Sequence, residues 1–389
     1  LKHVERIDNF IVTEKFIMTY GGRLNMKKNI LILFCLLLLA VTMAACSGNE
    51  SGNTEEINSE EPQGNNENVE ENAGNVEESG ESKTIKAGIG LNEEHPQYKG
   101  MELFKEIVET ETDGAIKVEI YPSAQLGDDK QMIQAVQLGT QEVTVPATAP
   151  LANFVPEFNI LNFPFLFPNE EVADAVLDGE VGQMLLDKLE DHGMVGLSYW
   201  EEGFYNISNN VRPIETADDL DGIRIRTMEN EILLDIFKAL GANPTPMAFS
   251  EVYTALQQGV VDAQTNPVSQ IYEAKFHEVQ KYVSGTNDYY GAWVFLINKE
   301  FFDGLTPEQQ EIVRKASIEA RDLERKLTRE SEQEYLEKIQ ADGVEYNDLT
   351  EKGRKSIQEK IQPVIDEYAK EIQDVADAFF EAIEAEQNK

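Results

Sequence analysis

Two arginines, Arg224 and Arg226, stand two positions apart in the stretch DLDGIRIRTMEN, in a chain whose formal net charge is -39. A guanidinium presents a planar fork that matches a carboxylate through two parallel hydrogen bonds. Among so many acids most guanidinium groups simply pair at the surface, so position must separate the two. If GIRIRT is a strand, alternation puts both arginines on one face, opposite Ile223 and Ile225, with Arg226 at the carboxyl end. In open α/β sheets ligands gather at the carboxyl ends of strands. Arg226 is therefore the candidate grip for a bound carboxylate, and Arg224 is expected to pair with Asp221 or another local acid.

Other chemistries find little to use. The histidines His3, His95, His192 and His277 have no paired spacing, which argues against a zinc or histidine-rich metal site. Cys35 and Cys46 are the only cysteines, so neither a disulfide framework nor a cysteine nucleophile is expected. Gly88 and Gly90 form a lone G-x-G without the rest of a dinucleotide fingerprint, and no G-x-S-x-G, Walker loop or H-E-x-x-H occurs. The acid pairs Asp128–Asp129 and Glu201–Glu202 read as solvated surface carboxylates. The sequence thus reads as a binder with no cofactor rather than an enzyme. Its acidity also argues against nucleic acid or an anionic membrane surface as partner, since both need a basic footprint.

The elements that must position Arg226 follow from periodicity. TIKAGIG, AIKVEIYP and EVTVPAT read as strands, separated by helices over YKGMELFKEIVETETDG and DDKQMIQAVQLG. Further on, MVGLSYW, GIRIRT and GVVDAQ read as strands, with helices over ENEILLDIFKALG and SEVYTALQQG between the last two. Alternating strands and helices indicate an α/β fold with parallel sheets, and 389 residues suffice for about two domains. LTPEQQEIVRKASIEARDLERKLTRESEQEYLEKIQADG opens with a Thr cap and Pro307, then runs without Gly or Pro to Gly343. It predicts one helix of roughly 35 residues, far beyond the usual globular length. Its apolar positions keep no sustained heptad, so a helix laid across two lobes is favoured over a coiled coil.

From Met26 the chain reads MKKNILILFCLLLLAVTMAAC, two lysines, an apolar run and small residues before a cysteine. The run is short for a permanent span and its flanks are those of a secretory signal. Met-Ala-Ala-Cys resembles a lipobox, which implies cleavage before Cys46 and lipid attachment to its thiol; an uncleaved anchor is the alternative. Residues 1–25 are expected to lie upstream of the native start, because Met26 opens a complete signal. Residues 46–83, rich in Asn, Glu, Gly and Ser, read as a disordered acidic tether holding a folded body off a membrane.

The stretches DLDGIRIRTMEN, YPSAQLGDDKQMIQAVQLGT, LNFPFLF and PMAFSEVYTALQQGVVDAQTNPVSQIYEAKFHEVQKY resemble the extracytoplasmic solute-binding proteins of tripartite ATP-independent periplasmic (TRAP) transporters, the C4-dicarboxylate-binding (DctP) type. The resemblance runs from about Thr84 to near the C-terminus. It implies a two-lobed periplasmic-binding-protein-like α/β fold with a ligand cleft between lobes and a long helix bridging both. The expected division is lobe I over 84–203 and 292–331, and lobe II over 204–291 and 332–389.

What the resemblance implies for the site is specific. The strand-end arginine that grips the ligand carboxylate falls on Arg226, the ligand-bonding amide on Asn266 before Pro267, and an aromatic beside the ligand on Phe249. Many relatives carry a second ligand-facing arginine where this chain has Tyr205, which offers a hydroxyl and no charge. That departure favours monocarboxylates, including sugar acids, over dicarboxylates, while Ala147 at the position of an acid used by sialic-acid binders argues against sialic acid. Trp200 and His95 are further candidates for the cleft wall. The implied role is a lipid-anchored extracytoplasmic binder that closes on an organic acid and delivers it to small and large TRAP membrane subunits. A lipoprotein presenting its ligand to a sensor kinase is the second reading, and a cleft enzyme acting on an organic acid the third.

Overall fold

The computed structural model describes residues 82–389. The signal at 26–45, the lipidation candidate Cys46 and tether residues 46–81 lie outside the described residues. Lys83, expected as the last tether residue, opens the first strand.

Among the described residues, strands run in chain order β1 Lys83–Gly88, β2 Ile116–Tyr121, β3 Val143–Thr144, β4 Met194–Phe204, β5 Asn206–Asn209, β6 Arg224–Thr227, β7 Asn243–Pro246, β8 Ala263–Asn266, β9 Tyr282–Gly285, β10 Tyr290–Asn298 and β11 Glu345–Asp348. They form two sheets, ordered β2-β1-β3-β10-β4 and β11-β9-β5-β8-β6-β7. Neither is wholly parallel, contrary to the expectation from sequence. β10 lies antiparallel between β3 and β4, and β5 lies antiparallel between β8 and β9. The reason is the connectivity: β4 passes straight into β5, and β9 into β10, so each crossing carries the chain from one sheet to the other. β7 reads Asn-Pro-Thr-Pro and holds the outer edge of its sheet, where a missing N–H breaks no ladder.

The two crossings touch. The Tyr205 backbone N–H donates to the Tyr289 carbonyl at 2.9 Å, and Asp288 N–H donates to the Tyr205 carbonyl at 3.3 Å. The rings of Tyr205 and Tyr289 stack with centroids 4.0 Å apart. This paired passage joins the two lobes.

The 35-residue helix Pro307–Ala341 forms as its signals predict. Thr306 Oγ1 accepts from Gln309 N–H at 3.2 Å, and Gln309 Oε1 accepts from Thr306 N–H at 3.1 Å, closing a capping box. Its first half packs Val313, Ala316 and Ala320 with Phe104, Trp200 and Phe295, beside the first sheet. Its last turns reach the second sheet's side: Ile339 joins the cluster of Val252, Ile271 and Phe276, and the Tyr335 hydroxyl donates to Glu273. One helix therefore spans both lobes. The C-terminal helix is Gln373–Gln387. Its stripe of Val375, Ala376, Phe379 and Ile383 buries against helices Glu170–Leu177 and Glu180–Asp187, because those offer the matching apolar face.

Candidate functional site

Between the lobes lies a cleft whose empty space, counted together with the solvent at its mouth, is about 680 Å³. Arg226, Asn266 and Phe249 of the sequence-derived candidates line it. β6 runs parallel to β7 and β8, so its carboxyl end delivers Arg226 to the cleft. Arg226 is only 2% exposed. Its Nε donates to the Met247 carbonyl at 2.9 Å, while Nη1 has no hydrogen-bond partner within the protein. Burial lowers its pKa from the ordinary value, opposed by the nearby Tyr205, Tyr289, Glu202 and Asp129. A buried donor of this kind calls for an anion.

Asn266 ends β8, and Pro267 caps the following helix Val268–Glu273. Its Nδ2 donates to Gln264 Oε1, Gln264 Nε2 donates to Ser208 Oγ at 2.8 Å, and Ser208 Oγ donates to Gln280 Oε1 at 3.1 Å. This buried relay fixes the amide's orientation in advance of binding. Phe249 is half-buried and packs edge-on against Phe276, with centroids 5.6 Å apart.

Three candidates stand elsewhere. Trp200 belongs to the lobe core: its Nε1 donates to Ser198 Oγ at 3.1 Å, and its ring lies against Phe295 and the bare face of Gly100. His95 is the cap of helix Pro96–Glu111, its Nδ1 accepting from Gln97 N–H at 3.1 Å. Burial pushes its pKa down to about 3, which suits an accepting neutral ring. It borders an adjoining pocket shared with Tyr253, Glu273 and Phe276 rather than the cleft holding Arg226. Tyr205 is fully buried behind the cleft wall, committed to its stack with Tyr289. Arg224, by contrast, behaves as expected of a surface group, though its partner is Asp262 rather than Asp221, with contacts of 2.9 and 2.5 Å.

Sequence reasoning missed Gln97, Asp129, Glu202, Gln270 and Trp293, all of which line the cleft. Two come from acid pairs read as solvated. Asp128 is solvated enough to cap helix Asp129–Gln137, but Asp129 turns inward and accepts from the Ala147 N–H at 3.1 Å. Burial pushes Asp129 up to about 6. Glu201 and Glu202 are 2% and 4% exposed and meet different surroundings. Glu201 meets Arg329 and the Tyr290 hydroxyl, facing the long helix. Glu202 faces the cleft, where Gln270 Nε2 donates to it at 3.1 Å, and burial pushes it up to about 7. Gln97 Nε2 donates to the Val145 carbonyl at 3.0 Å, leaving Oε1 without a partner, as is Oε1 of Gln270. The wall therefore offers one buried cation, Arg226, with Lys130 exposed at the margin, the carboxylates of Asp128, Asp129, Glu202 and Glu229, and unpaired amide oxygens, with Trp293 and Phe249 as apolar faces. It is built to hold a small, polar, hydroxylated anion.

The sequence profile of the DctP family, bacterial extracellular solute-binding protein family 7, matches residues 87–371. The chain belongs to this family. A relative named as the C4-dicarboxylate-binding periplasmic protein of Rhodobacter capsulatus is 38% identical over 279 residues, 71% of this chain and 84% of that one. Two similar crystal structures are of binding proteins with a ligand bound, the second of them a TRAP periplasmic solute-binding protein. The sugar acid binding protein of Advenella mimigardefordensis, in complex with galactonate, has a TM-score of 0.76 at 38% identity, covering 78% of this chain and 99% of that one. A binding protein from a Polaromonas species, bound to D-erythronate, has a TM-score of 0.75 at 36% identity with the same coverage. Members of the family are extracytoplasmic solute-binding transport proteins of two-lobed α/β architecture, and the fold of this chain is theirs.

Proposed function

We propose that this chain is the lipid-anchored solute receptor of a TRAP transporter and that it captures a polyhydroxylated monocarboxylate, such as an aldonate, for delivery to small and large membrane subunits. The observation that carries the reading is Arg226, a buried guanidinium with a free donor, standing among acceptors and not among further buried cations on the cleft wall. A ligand carboxylate pairs with Arg226, and the pair strengthens as closure removes water. The ligand's hydroxyls donate to Asp129, Glu202, Gln97 and Gln270, while Asn266 sets orientation. The galactonate and D-erythronate complexes of the two similar structures support this ligand class. The address at Met26–Cys46 supports membrane attachment at the outer face.

The test is a thermal-shift screen of the folded body against monocarboxylates, sugar acids and C4-dicarboxylates. A ligand at a hundred times its Kd adds about 2.7 kcal/mol of stability. The expected result is a strong shift with aldonates; a largest shift with succinate or malate overturns the hydroxy-acid assignment.

A further inference from the structure

Glu202 is a carboxylate on the cleft wall with no cationic partner within ion-pair distance among the described residues; its near neighbour Glu201 has Arg329, but Glu202 has only the amide of Gln270 and the phenol of Tyr205. Its place is engineered by the backbone. The register of β4 against β10 shifts between Gly291 and Ala292, so that Gly203 pairs with Gly291 and Glu201 with Ala292 while Glu202 is left over in a bulge. Gly203 takes φ 105°, a left-handed value that favours glycine. Gly291 must also lack a side chain, since a Cβ there would lie 2.7 Å from Glu202 Oε2 and 2.5 Å from the Tyr205 ring. A bulge and two glycines hold this carboxylate in the cleft. Bulges next to sites commonly re-aim a side chain in this way.

We propose that Glu202 selects the ligand's charge class: ionised, it accepts hydrogen bonds from distal hydroxyls and repels a second carboxylate, and protonated, it admits one. The proposal rests on the assignment of a carboxylate to Arg226 and goes beyond it by naming the residue that decides what the other end of the ligand carries. The groups facing Glu202 are Tyr205 beside it, Tyr289 on the second crossing, Gln270 from helix Val268–Glu273, Asp129 from helix Asp129–Gln137 and Arg226 from β6. Asp129 is the like charge and Arg226 the opposite one. Arg226 is already committed to the first carboxylate and Lys130, the other lining cation, is exposed, so a dianion that reaches Glu202 brings its second charge to a buried acid and amides. A like charge set against the wrong ligand makes such discrimination steep. Because burial raises Glu202 toward neutrality, the discrimination weakens as pH falls through that range.

The test uses D-galactonate and galactarate, which share one carbon chain and its hydroxyls and differ in the terminal group, a primary alcohol or a second carboxylate. Both of galactarate's carboxyls stay ionised across the pH range used. Calorimetric titration of the wild-type protein at about pH 8 should favour galactonate by about a hundredfold, and at about pH 6 by about tenfold or less. Glu202→Gln should cut the preference at about pH 8 by at least about tenfold and flatten most of its pH dependence, Asp129 carrying the remainder. A preference unchanged within about twofold in Glu202→Gln overturns the proposal. If that variant does not fold, the wild-type series decides alone, and a ratio that stays flat between the two pH values overturns it. Arg226→Ala separates this failure from that of the underlying reading. Should galactonate bind with undiminished affinity to Arg226→Ala, or not bind the wild type, the carboxylate assignment falls and the Glu202 proposal with it.

Discussion

Arg224 and Arg226 stand two residues apart on β6 and meet opposite environments: one pairs with Asp262 at the surface, and the other is buried in the cleft with Nη1 free. The same side chain is structural in one place and poised for a ligand in the other. The difference comes from the strand's end, not from the residue type.

Arg224→Ala is accordingly expected to leave ligand affinity unchanged. The side chains of Arg224 and Asp262 are 49% and 24% exposed, so solvent screens the pair and losing it should lower stability little. Calorimetry and a denaturant melt check both statements. A tenfold loss of affinity would show that Arg224 reaches the ligand.

Gly291→Ala should disturb the site more than the fold. The new methyl meets Glu202 and Tyr205, side chains that hold the cleft wall and the lobe crossing. Overpacking of this kind destabilises by about 1–3 kcal/mol. Affinity for an aldonate is expected to fall in parallel, whereas a variant with wild-type affinity would mean that Glu202 can shift without consequence.

Glu324 on the long helix makes a prediction about pH. It is fully buried, accepting from Glu201 N–H at 3.0 Å and from Thr328 Oγ1 at 2.8 Å, and burial pushes it up to about 8 from an ordinary 4.5. Between those values the folded chain keeps a proton that the unfolded chain has lost, so stability declines as pH rises through the window. Glu324→Gln removes that decline. Its advantage over wild type should grow by at least about 1 kcal/mol between about pH 5 and about pH 8 in thermal melts. An equal difference at both ends would mean that Glu324 is ionised in the fold.

Cys46→Ser tests the anchor. Metabolic labelling with radioactive palmitate in a bacterial host should mark the wild-type chain and leave the variant unlabelled. Label on Cys46→Ser would place any lipid elsewhere.

What the sequence revealed and concealed follows the range of the interactions. The long helix was legible because Thr306, Pro307 and the absence of breakers before Gly343 are local signals. Arg226 was legible because a strand end marks position along the chain, whereas Asn266 came only through the family resemblance. Glu202 was not, because nothing near it says that the Glu201–Glu202 pair is enclosed; Gln270, Gly291 and the long helix enclose it from distant parts of the sequence. Trp200 and His95 misled for a similar reason. Large or titratable residues attract attention, but Gly100 and Ser198 draw Trp200 into the core, and a helix start claims His95. Tyr205 held a telling position without facing the cleft, since its stack with Tyr289 ties the two lobe crossings.

The most direct test of the account is calorimetric titration of D-galactonate into the wild-type protein and into Arg226→Ala. Leaving a buried carboxylate without its partner costs roughly 3–5 kcal/mol, so the variant should bind at least about a hundredfold more weakly. Equal affinity in the two proteins would remove Arg226 from the site and contradict the account.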